Sequence, residues 1–127
     1  MKNMNTPLHM ASACGNTRIV EVLIENDAYV NAGDGIGNAS LHVAIENNNV
    51  EIVDALLNIG TDVNVENYHG YTPLHIAVAK NNIVVVDALL NRGADTNTRN
   101  DKGYTPLQLS ILKGCKGILS CLLERIE

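Results

Sequence analysis

Tryptophan and phenylalanine are absent from this chain of 127 residues, and four tyrosines are all it holds of the large aromatic side chains. A core made without big rings must be filled by Leu, Ile, Val and Ala, which suits thin helical layers packed face to face. Cysteine is scarce as well. Cys14, Cys115 and Cys121 are odd in number and contain no CxxC pair, so the expectation is no disulfide framework and a reducing compartment, cytoplasmic or otherwise intracellular. No apolar run approaches the ~20 residues that span a bilayer, and the start, Met1 to Asn5, lacks the apolar stretch of a signal peptide. Neither membrane insertion nor secretion is therefore expected. Positive charge is also in deficit: the formal net charge of -5 argues against nucleic-acid binding, which relies on Lys and Arg neutralising phosphates.

What is present is ordinary in amount for a folded chain, 46% apolar and 18% charged. It is unusual in arrangement. Residues 1–66 carry Lys2 and Arg18 against nine acids (2 - 9 = -7), whereas residues 67–127 carry seven bases against five acids (7 - 5 = +2). The stretch TPLHIA from Thr72 to Ala77 returns 33 residues earlier as ASLHVA (Ala39 to Ala44). It recurs 33 residues before that as TPLHMA (Thr6 to Ala11), and 33 residues after Thr72 as TPLQLS (Thr105 to Ser110). A period kept over three successive spacings outweighs any local reading, because one such unit is too small to bury its own apolar face and must stack on its neighbours.

Each copy continues with the same grammar, most complete in the third. The Thr72 hydroxyl can cap a helix, Pro73 fits the first helical position, and Leu74, Ala77 and Val78 extend an apolar stripe. The helix so formed ends near Asn81 and Asn82, and a second follows from Ile83 to about Asn91 that buries Val85, Val86, Leu89 and Leu90. Gly93 stops it, and the run Ala94 to Gly103 reads as a turn-rich finger leading into the next copy. The chain resembles the ankyrin repeat, a unit of a β-turn and two antiparallel helices with a TPLHxA signature. The apolar pairs Leu23–Ile24, Leu56–Leu57, Leu89–Leu90 and Leu122–Leu123 keep the register, as do Asn31, Asn64 and Asn97. The resemblance implies an all-α solenoid and a single domain over 1–127, with units at about 1–33, 34–66, 67–99 and 100–127.

Departures from the pattern carry their own expectations. Ala39 and Ser40 replace the Thr and Pro of the second unit, so Ser40 or Asn38 is expected to cap that helix in a shifted frame. Asp27 stands where Gly60 and Gly93 stop other helices, and Asn48 and Asn81 stand where Gly15 and Gly114 turn, which predicts positive φ at all three. Thr17 and Arg18 at one end, and Lys116, Ser120 and Cys121 at the other, read as polar caps, although Ile126 leaves room for a longer array.

Catalysis finds no constellation. His9, His42 and His75 recur in register, but equivalent residues on stacked helices lie about 8 to 10 Å apart, too far for one zinc. The expected role is a hydrogen bond within the turn and first helix, fixing one finger to the next, which Gln108 can imitate in the last copy. Cys121 reads as core and Cys14 as exposed without a base of its own. Gly33, Gly35 and Gly37 match linker positions better than a phosphate loop, and no cofactor or metal is expected.

Relatives of the ankyrin type commonly bind proteins on the concave side, made of finger tips and first helices. The resemblance places that surface at Ile36, Asn38, Glu46 and Asn47 in the second unit, with Gly35 beside them. It adds Tyr68, His69, Tyr71 and Lys80, then Asp101, Lys102, Tyr104, Leu112 and Lys113, in the third and fourth. Tyrosine suits an interface anchor, having large area and few rotors. The basic residues around Tyr71 and Tyr104 favour an acidic or phosphorylated segment of a protein partner, bound by a monomer. The alternative is a structural spacer or self-associating piece of a longer array.

Overall fold

Eight helices occupy residues 5–125, the part of the chain that the computed structural model describes. They are α1 (Pro7–Cys14), α2 (Thr17–Glu25), α3 (Ser40–Glu46), α4 (Val50–Asn58), α5 (Pro73–Ala79), α6 (Ile83–Asn91), α7 (Pro106–Leu112) and α8 (Lys116–Arg125). No strand occurs among the described residues.

The first helix of each unit begins for the reason the sequence supplies. Thr6, Thr72 and Thr105 take extended backbone at the N-cap, and their hydroxyls accept the N–H three residues on, at 3.2, 3.3 and 3.2 Å. Proline follows each of them inside the helix, where it forfeits no bond. The second unit keeps the same frame without a cap. Ala39 occupies the N-cap at φ -76 and ψ 167 with no side-chain bond, so the shifted start at Ser40 or Asn38 does not occur. Packing explains why: Ala39, Leu41 and Ala44 are buried, and a one-residue slip would turn that apolar set out of the core.

Asp27, Asn48 and Asn81 have φ of 63, 57 and 54, as their register with the glycines requires. The turns at Asn48 and Asn81, like those at Gly15 and Gly114, bring each second helix back against its partner, whereas Asp27 follows α2 and leads into the next finger. Helices α1, α3, α5 and α7 then stack as one row and α2, α4, α6 and α8 as another. Register becomes core directly, since Leu8, Leu41 and Leu74 are buried from one row and Leu56, Leu89 and Leu122 from the other.

Both ends of the stack are less polar than the sequence suggested. Lys116 and Ser120 are exposed, but so is Leu123, and Ile111 is 61% exposed where its equivalents Ile45 and Val78 are at 0%. At the other end Met10 and Ile19 are exposed although Ile52, Val85 and Ile118, in register with Ile19, are buried. Ile126 lies outside the described residues.

Candidate functional site

The fingers are joined to the helices and to one another by a repeated polar latch. In His9, His42 and His75 the Nε2–H donates to the carbonyl of Asn38, Tyr71 and Tyr104 in the following finger, at 2.7, 2.8 and 2.9 Å. Nδ1 accepts the N–H of Thr6, Ala39 and Thr72 at 3.2, 3.0 and 3.1 Å. A carbonyl only accepts and an amide N–H only donates, so both partners fix the same neutral tautomer. Burial pushes His42 and His75 below the usual histidine range, outweighing the carbonyls of Tyr71 and Tyr104 that favour the cation. These histidines therefore hold the fingers and leave no lone pair for a ligand.

Each finger is also braced internally. The side-chain oxygens of Asp34, Asn67 and Asn100 accept two backbone N–H groups apiece from their own turns. Backbone bonds then run from finger to finger, Tyr68 N–H to the Ile36 carbonyl and Asp101 N–H to the His69 carbonyl, both at 2.9 Å. The result is a stiff row of tips beside the first helices.

On this face the residues expected to meet a partner separate into two kinds. Ile36, Glu46, Asn47, Tyr68, His69, Lys80, Asp101, Lys102, Leu112 and Lys113 are exposed. Asn38, Tyr71 and Tyr104 are half-buried and already occupied, since their carbonyls receive the histidine latches. Tyr71 packs on the core and meets the His75 ring edge-on, 5.6 Å between centroids. Tyr68 is the freest, 74% exposed with its ring lying over Gly37, where an added Cβ would come within 2.7 Å of Tyr68 Cδ1. On this face Lys80 pairs with Glu46 of the neighbouring unit at 3.3 Å, and His69 Nδ1 lies 3.2 Å from Asp101 Oδ2 of the next finger.

Between the second and third fingers lies a cleft of about 220 Å³, walled by Ile36, Asn38, Glu46, His69, Tyr71 and Ile76, with Asn67 and the closed-over His42 at its base. Ile76 is core, as its position, apolar in all four copies, suggests, and at 7% exposed it meets the cleft only at its edge. The family model for ankyrin repeats (three copies) matches residues 1–67 and again 41–127. The chain belongs to the ankyrin-repeat family. No curated protein matches it.

Ankyrin repeats are in general protein–protein interaction modules and typically not enzymes. The ankyrin latches account for the recurring histidines without any reaction. The three cysteines are free thiols, Cys14 exposed, Cys115 buried and Cys121 half-buried against the core. No helix among the described residues is long and apolar enough to cross a membrane.

Proposed function

We propose that the face formed by the fingers and first helices holds an extended segment of a partner protein, and that the segment is acidic or phosphorylated. The observation that carries this reading is Tyr68, seated at its base on Gly37 and free at its tip, on the same face as the exposed Lys102 and Lys113. A ring held in this way loses little freedom on binding, and a lysine in water gains most from a doubly charged phosphate. Neither lysine is in an ion pair among the described residues. The four units act together as one non-catalytic domain, monomeric and in a reducing compartment, in keeping with its free thiols.

The test is capture from a library of phosphorylated and unphosphorylated peptides by the intact chain. A triple variant, Tyr68→Ser with Lys102→Glu and Lys113→Glu, should lose the anionic peptides while keeping its helical circular dichroism. Equal capture by a folded variant would remove the patch from consideration.

One observation favours a second reading, a self-associating or spacer role. Ile111 is exposed at a position where Ile45 and Val78 each face a further layer. In that role the far side of α7 and α8 stacks on another unit, and light scattering would show assembly that Ile111→Lys abolishes.

A further inference from the structure

The residue before the first-helix cap changes along the stack, from Asn5 and Asn38 in the first two units to Tyr71 and Tyr104 in the last two. Tyr71 lays its ring beside His75. Asn38 is too short to do the same beside His42, and both residues border the cleft between the second and third fingers. What asparagine provides instead is an acceptor: Asn67 Nδ2 donates to Asn38 Oδ1 at 2.9 Å. The equivalent amide of Asn100, with Tyr71 in the register of Asn38, is buried with no partner among the described residues. This junction therefore satisfies a half-buried amide and gives up the volume of a ring.

We propose that the cleft receives an aromatic side chain from the bound segment, filling the place that Tyr71 takes in the third unit. Its walls suit a ring with a polar edge, because Ile36, Tyr71 and Ile76 offer apolar surface while Glu46 at the rim can accept a phenol hydroxyl. The proposal deepens the reading above by fixing a spacing. Lys102 belongs to the fourth finger, about one and a half layers from the cleft. At roughly 8 to 10 Å per layer this is on the order of 12 to 15 Å, or about four residues of extended chain at ~3.3 Å each. The segment thus carries an aromatic residue and an anionic residue about four positions apart.

Fluorescein-labelled Gly/Ser peptides with one tyrosine and one phosphoserine at that spacing, in both orders, provide the probe. Versions with alanine for tyrosine, and with serine or glutamate for phosphoserine, separate the two contributions by fluorescence polarisation. Against the unaltered chain, loss of the tyrosine should weaken binding roughly fivefold or more. Against Asn38→Tyr it should change nothing, because the slot is already filled. That variant recreates the Tyr71 and Asn100 pairing that the next junction already tolerates. Ile36→Glu, at an exposed tip, gives an independent check with the same expected loss. A tyrosine-dependent gain that persists in both folded variants overturns the cleft, whatever the charge reversal does. If instead that gain disappears as expected while Lys102→Glu with Lys113→Glu has no effect, the cleft stands and the anionic reading falls. Absence of binding by every peptide at millimolar concentration overturns both.

Discussion

His42 and His75 tie stability to pH. Desolvation holds both imidazoles below the ordinary range, against the pull of Asp34 on one and Glu66 on the other. The unfolded chain therefore takes up these protons first, so the stability they lend is complete above about pH 6.5 and declines as the pH falls through the folded values. A cation would also place a hydrogen on Nδ1, facing the backbone N–H of Ala39 or Thr72. The melting temperature should drop between about pH 7.5 and pH 5.5, and His42→Gln with His75→Gln should flatten that slope. Gln108 shows the substitute at work, its Oε1 accepting the Thr105 N–H at 2.9 Å. Identical slopes in both proteins would exclude the imidazoles as the source. The left-handed residues Asp27, Asn48 and Asn81 belong to the same scale. Valine at any of them should lower stability by about 1 to 3 kcal/mol, measured by urea titration, whereas glycine should be neutral or better. These two features were legible in the sequence, because latch and turn each repeat at a fixed register. The role of Asn38 was not, since its amide matters only through Asn67 on another unit.

At the level of the element, α3 is the weakest start in the stack. Ala39 already has the extended backbone of Thr6 and Thr72, and Ser40 stands where Pro7 and Pro73 do. Restoring both, Ala39→Thr with Ser40→Pro, should add about 1 to 2 kcal/mol from cap and chain stiffening together. A chemical-denaturation midpoint that fails to rise would show that the α3 pocket cannot hold the threonine as its neighbours do. The other end of an element shows what sequence could not reveal. Arg92 closes α6, yet its guanidinium reaches the Leu57 carbonyl at 2.8 Å and the Asn58 side chain at 2.6 Å, at the C-terminus of α4. Positive charge there complements the helix dipole and gives the Leu57 carbonyl, which already accepts the Gly60 N–H, a second donor. Periodicity names the stripe that faces inward, but a long side chain spanning 35 residues of sequence is visible only once the layers are stacked. The cleft is of the same kind, for its walls come from two fingers and two helices.

For the molecule as a whole, stability must be highest in the middle. Each layer leans only on its neighbours, so the helices flanked on both sides, α3 to α6, gain two interfaces and the outermost gain one. Amide exchange should be at least roughly tenfold slower in α4 and α5 than in α1 and α8. Uniform protection along the chain would contradict a nearest-neighbour stack. Exposed Ile19 and Ile111 mark the two surfaces where that support stops. The uneven charge follows the same axis. With -7 on the residues of the first half and +2 on those of the second, the stack is a bar with an electrical polarity. An anionic segment of the kind proposed would be attracted toward the end of the stack that carries the third and fourth units before contact is made. The arrival rate of such a segment would then depend on how far that field reaches through the surrounding salt, which is about 8 Å at physiological ionic strength.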